Sequence, residues 1–360
     1  MSARPDSSSR VGAVGGSAGP MALVVGHVCV DLTPGLDSLP SLVPGDLSAV
    51  GELRMTPGGC VANTGGDLAE LEVSVAVCAD IGDDELSVPL RRLAAGRGLD
   101  IRGFRTTAAT TSYSIVFQPP GRDRTFWHHT GANTLFDGTH VVLDGVDLLH
   151  IGYPSLLPAL VAEKGRPLVA LLDRARASGI TTSLDLAVVD APTKQTRMFW
   201  DEVLTAALPS TDIVSPSIDD LASALGSDAL GDGTPLAAAQ LLVDRGAAIA
   251  VVSDGVRGFG FTTADAARFA RSGSAVAGLP SAWYDRRETV PASTVTVPVT
   301  TTGAGDAATA GLLAAVLRGT APDAAVRFAA DVAAARVAGL PLATVAAGHP
   351  SDLESALRSS

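Results

Sequence analysis

Residues 300–306 read Thr-Thr-Thr-Gly-Ala-Gly-Asp, three hydroxyls and two glycines ahead of a carboxylate, and an apolar stretch follows to Leu317. The first N–H groups of a helix have no partner within it, and the helix dipole adds positive character there. Gly303, Ala304 and Gly305 bring no bulk, so a phosphate can reach those donors. A carboxylate beside a bound phosphate repels it, a cost that calls for an offsetting role. Accepting the proton of a hydroxyl that attacks a phosphoryl group is such a role. Asp306 is thus a candidate general base, and residues 303–305 a candidate anion hole. Taken alone, the run also fits an ordinary helix start with aspartate as its cap.

Two further segments shift that balance. Gly58 and Gly59 precede Asn63 and a helical run, which lets a ligand approach the backbone beside an amide able to bond hydroxyls. The apolar run 248–253 ends at Ser253 and leads into Gly255 and Gly258. Such a loop can lie flat against a nucleotide, although a simple hairpin turn has the same composition.

Together these residues resemble the ribokinase-like, or PfkB, carbohydrate kinases from about residue 21 onward. Thr301 to Asp306 match the family's closing Thr-x-Gly-Ala-Gly-Asp signature. Gly58, Gly59 and Asn63 match its opening Gly-Gly-x-x-x-Asn, and Gly26 with Asp31 its early Gly-x4-Asp. The resemblance implies a doubly wound, mainly parallel α/β sheet with helices on both faces, plus a small β-sheet lid. It implies transfer of the ATP γ-phosphate to a hydroxymethyl group of a sugar, with Mg2+ accompanying the nucleotide. Carried over residue by residue, Asp306 is the base and 303–305 the anion hole. Asp31, Gly58, Gly59 and Asn63 hold substrate hydroxyls, and Ser217, Ser253, Gly255 and Gly258 line the nucleotide site. A nucleoside kinase of the same fold is the nearest alternative, and a sugar-binding regulator with weak transfer is one of another class.

The chain departs from the family in places. Thr300 stands where an acid helps bind a monovalent cation, which puts potassium activation in question. Ser217 and Asp220 replace an Asn-x-x-Glu, so Asp220 would act on the metal through water or merely cap a helix. Ser87 replaces a glycine of the Gly-x-Asp-x-x-Gly segment. The interval from Gly258 to Gly303 is long, and its residues 279–293 either reshape the adenine cleft or form a solvent loop.

Positioning these residues requires a sheet. Residues 21–32 read as a first buried strand, with further strands at 73–79, 147–152, 180–186, 211–215 and 248–253. Helical spacing spans 84–97, 158–178, 217–225, 234–246, 303–318 and 321–338. Strand–helix alternation predicts a parallel sheet covered on both faces. Two segments break the alternation: 34–57 is Pro/Gly-rich, and 108–131 reads as two strands around a Pro-Pro-Gly turn. They are the expected lid segments within a kinase domain of 21–360, preceded by a flexible extension of 1–20. His128 and His129 are adjacent on a lid strand, so they point to opposite faces and one of them can face the substrate.

Bulk properties exclude other classes. Of 360 residues 46% are hydrophobic, enough for a large core. A net charge of −12 without basic runs disfavours nucleic acid and anionic membranes as partners. Cys29, Cys60 and Cys78 form no metal-binding pattern and read as buried thiols. The N-terminus lacks a secretory apolar run and no membrane span is expected, so the predicted location is the cytoplasm. The literal Gly-x-Ser-x-Gly at 15–19 follows no strand, and no Walker-type loop occurs. Exposed edges of a small lid sheet motivate a homodimer through the lid.

Overall fold

The computed structural model describes residues 19–120, 124–190 and 194–346, so most of the expected N-terminal extension lies outside it. Its strands in chain order are β1 (Met21–Gly26), β2 (Cys29–Pro34), β3 (Leu53–Gly58), β4 (Ser74–Ile81), β5 (Phe104–Thr106), β6 (Tyr113–Phe117) and β7 (Thr125–His129). They continue with β8 (Leu148–Gly152), β9 (Thr181–Asp185), β10 (Ile213–Val214), β11 (Ile249–Ser253), β12 (Phe259–Thr263) and β13 (Arg287–Val290).

Nine strands form one sheet in the order β13-β12-β11-β10-β9-β8-β1-β4-β5. Every pairing from β11 to β5 is parallel, and the last two strands at the other edge are antiparallel. Parallel strands are covered on both faces, which is why β1 is an apolar run and β8 is buried at every residue rather than at alternate ones. A separate four-stranded sheet has the order β3-β2-β6-β7 and forms the lid.

The run 21–32 is not one strand. It breaks at His27 and Val28, so β1 lies in the large sheet and β2 in the lid. Gly26 makes the exit: its φ is 122°, and a Cβ there would sit 2.6 Å from the Gly152 carbonyl oxygen. Residues 279–293 are not a free loop either. Trp283 is fully buried and donates its indole N–H to the Thr320 carbonyl at 3.0 Å, and β13 follows it.

The Asp306 helix, Ala304–Leu317, is buried at every residue from Asp306 to Val316, as an all-round apolar helix must be. Gly311 lets the helix Pro322–Val337 pack closely, since a Cβ would stand 3.0 Å from the Ala329 Cα. Arg336 on that second helix pairs with Asp67 and Glu70 of the helix Cys60–Glu70, which carries Asn63. Ion pairs and close packing therefore fix the two site helices relative to each other. All three cysteines are buried and free. Among the described residues no helix is long and apolar enough to cross a membrane.

Candidate active site

Gly303 starts the Asp306 helix from a left-handed conformation, φ 78°, which glycine adopts without strain. Neither Gly303 nor Gly305 would bring a Cβ within 4 Å of other atoms. Gly305 has no positive φ, so the protein's own packing does not require a glycine there. Thr302, Gly303 and Ala304 are half-buried and Gly305 is exposed, leaving this helix start open to a ligand.

Asp306 itself is only 4% exposed. The Tyr153 hydroxyl approaches both of its carboxylate oxygens, at 2.8 and 2.7 Å. The Thr64 hydroxyl donates at 2.9 Å and the Asn63 amide at 3.1 Å. Burial pushes the Asp306 carboxyl above the usual carboxylate range, while these three donors and the charge of Arg97 pull it back. Tyr153 follows β8 with φ 62° and ψ 52°, a left-handed backbone uncommon for a bulky residue. Strain of this kind persists where the surroundings over-determine it and clusters at functional sites. Burial and the neighbouring Asp306 charge raise the phenol well above its ordinary range, so Tyr153 is a neutral donor.

Further acids converge on Asp306. Asp185, at the end of β9, is raised well above its ordinary range by burial, then by the charges of Asp306 and Asp220. Burial pushes Asp220 up to about 6. One oxygen of Asp220 accepts from the Ser217 hydroxyl at 2.6 Å and from the Ser217 N–H at 3.0 Å, a capping box. Asp31 on β2 is also raised, by burial first, with Arg124 opposing.

The glycine pair has a direct steric reason. A Cβ on Gly58 would lie 2.4 Å from an Asp31 carboxylate oxygen, and one on Gly59 would lie 2.5 Å from His27 Nδ1. Asn63, expected on substrate hydroxyls, here donates to Asp306. On the nucleotide side, Ser253 donates its N–H to the Pro216 carbonyl at 3.0 Å, which brings Ser217 and Ser253 together. A small cavity takes its walls from Ser215, Ser253, Phe259, Gly305 and Thr309, joining this side to the anion-hole helix. A Cβ on the exposed Gly255 would meet nothing within 4 Å, whereas Gly258 serves the hairpin, its Cβ position being 2.2 Å from the Val290 carbonyl. The lid reaches across: Arg124 Nη1 donates to the Thr301 hydroxyl at 3.0 Å. Thr300 accepts the Thr302 N–H on its own hydroxyl at 3.0 Å. Among the described residues no three His, Cys, Asp or Glu side chains cluster as a metal site.

Sequence reasoning missed Tyr153, Thr64, Asp185 and Arg124. For Asp185 a signal existed, an acid ending an otherwise uncharged buried strand. For Tyr153 the tripeptide Gly-Tyr-Pro after a strand marked a sharp turn but not the direction of its side chain.

Residues 20–340 match the model of the pfkB family carbohydrate kinases. A fructokinase from Klebsiella pneumoniae is 26% identical over 339 residues, covering 90% of this chain and 93% of its own. An ATP-dependent ribose-1-phosphate kinase from Halopiger xanaduensis is 37% identical over 87 residues, which covers 24% of this chain and only 29% of that protein. The structure of Arabidopsis thaliana ribokinase complexed with ribose and ATP superposes with a TM-score of 0.66 at 18% identity, covering 95% of this chain and all of that one.

Proposed function

The chain belongs to the pfkB family of carbohydrate kinases, and from that premise we propose that it transfers the ATP γ-phosphoryl group to a hydroxymethyl group of a small sugar, with Asp306 as general base. The observation that carries this reading is the buried Asp306 carboxylate, held by three donors in the first turn of a helix whose glycine start is open. Sugar hydroxyls sit against Asp31, Gly59 and Asn63. The nucleotide lies along Ser217, Ser253 and Gly255, with Gly258 shaping the hairpin behind it. The acceptor hydroxyl gives its proton to Asp306 as its oxygen bonds the γ-phosphorus, and the bond to the departing ADP oxygen breaks in line. Backbone N–H groups at 303–305 meet the charge on the transferring group.

Mg2+ bound with the nucleotide neutralises phosphate charge. Asp185 and Asp220 would hold it through water, and a nearby cation would relieve the cost of their burial. We place the enzyme in the cytoplasm, where its thiols stay free. The lid's second face carries Leu32, Met55, Ile115 and Trp127 on one rung, with Leu53 and Trp127 about half exposed. A homodimer would cover it. Light scattering should give a dimer mass for the wild type and a monomer for Leu53→Glu/Trp127→Glu; a monomeric wild type removes the dimer.

The reaction is tested by ADP release with ATP and Mg2+ over free sugars and nucleosides, with and without potassium. Sugar-stimulated ADP release supports the reading. Release with nucleosides alone makes the chain a nucleoside kinase, and binding without release makes it a regulator.

A further inference from the structure

We propose that His128 and His27 form a hydroxyl-reading subsite on the lid side of the pocket, selecting an uncharged sugar over a phosphorylated one. This rests on the kinase reading and narrows its substrate class.

The lid register pairs Thr56 with Asp31, Asp31 with Ser114, and Ser114 with His128. Directly paired residues share a face, so one polar rung, Thr56-Asp31-Ser114-His128, crosses the sheet. Its Asp31 lies against Gly58 and within electrostatic reach of Asp306, so this is the face turned to the site. His129 is on the other face.

Proton counting along the rung fixes the tautomer. The Cys29 thiol donates to Asp31 Oδ1 at 3.3 Å, Ser114 Oγ lies 3.8 Å from Cys29 Sγ, and it lies 3.1 Å from His128 Nδ1. Thiol and hydroxyl carry one proton each, so with the thiol's on Asp31 the serine donates to the sulfur and accepts the Nδ1–H. In a neutral ring this leaves Nε2 as a bare acceptor. That atom is buried without a hydrogen-bond partner, as are both ring nitrogens of His27.

His27 is 3% exposed. Its ring centroid is 5.0 Å from that of His128 and 5.8 Å from that of Tyr153, whose hydroxyl holds Asp306. Three orphan nitrogens are thus carried by two adjoining rings between the lid and Tyr153. Buried polar atoms are nearly always paired, so this concentration asks for a ligand. The chemistry it fits is a sugar hydroxyl: the proton goes to His128 Nε2, and neutral His27 offers one donor and one acceptor. Burial lowers both imidazoles below their ordinary range, which keeps them uncharged at neutral pH. A bare lone pair repels a phosphate oxygen.

The test uses the full chain and four probes: D-ribose, D-fructose, uridine and ribose 1-phosphate. Calorimetry reads binding, ADP release reads transfer, and thermal melting checks that the variants fold. His128→Phe should raise Kd and KM for the neutral probe that binds best by about tenfold, with a smaller fall in kcat. His128→Gln, which keeps an amide near Nε2, should recover most of the loss. Unchanged binding in His128→Phe, preference for ribose 1-phosphate, or no binding of any neutral probe would overturn the proposal. Sugar binding that is sensitive to His128 without ADP release would sustain the subsite and sink the kinase reading.

Discussion

As the proposed general base, Asp306 is useful only if it is ionised at working pH, and burial works against that. Tyr153 is one of the groups that restore the balance, by donating to the charged form. Removing a donor to a charged acid raises that acid's pKa, so Tyr153→Phe should move the acid limb of the kcat/KM profile to higher pH. On the acid limb activity should fall about tenfold, the scale of one charge-assisted hydrogen bond, and recover on the alkaline side. A uniform loss with an unmoved profile would give Tyr153 a packing role only. Asp306 could be picked out as a candidate because glycines and an acid at a helix start have a specific chemical use. Tyr153 was not, because its contact spans 153 residues of sequence and depends on a left-handed backbone that no local pattern announces.

At the scale of elements, three glycines that look alike in sequence do different work. Gly258 is demanded by the hairpin and Gly303 by its φ, while Gly305 meets no demand of the protein's own. Gly305→Ala should therefore leave stability unchanged or raise it by up to about 1 kcal/mol, since alanine favours a helix interior. With the proposed anion hole, turnover should fall because the methyl would stand where the phosphate approaches. Thermal melts and kcat/KM together check this; an equally active variant would remove the phosphate from that position. The long strands and helices were legible from periodicity. The break between β1 and β2 was not, because both sides are apolar and a glycine conformation separates them. The helix Lys194–Ala207 buries Trp200, Val203, Leu204 and Ala207, a helical spacing that its polar composition obscured.

Across the whole molecule, burying Asp31, Asp185, Asp220 and Asp306 around one site costs stability that the rest of the core offsets. Asp220, at about 6 in the fold against roughly 3.9 unfolded, binds its proton more tightly in the native state. Its contribution to stability is full below the unfolded value and is lost as pH rises through about 6. Asp220→Asn keeps an acceptor for Ser217 without the charge. Its Tm should exceed the wild type's by roughly 2–8 °C at pH 8 and converge with it near pH 4. A variant less stable than wild type at pH 8 would mean that the charged cap is worth more than its burial costs. The fold class was legible from strand–helix alternation, whereas this gathering of acids was not, because each comes from a different element. The proposed chemistry turns on Asp306. The most direct measurement is single-turnover phosphoryl transfer by Asp306→Asn to the best acceptor of the panel, with ATP affinity measured alongside. A rate lower by about 10² or more with ATP binding nearly intact is expected; transfer at close to the wild-type rate would rule out Asp306 as the base.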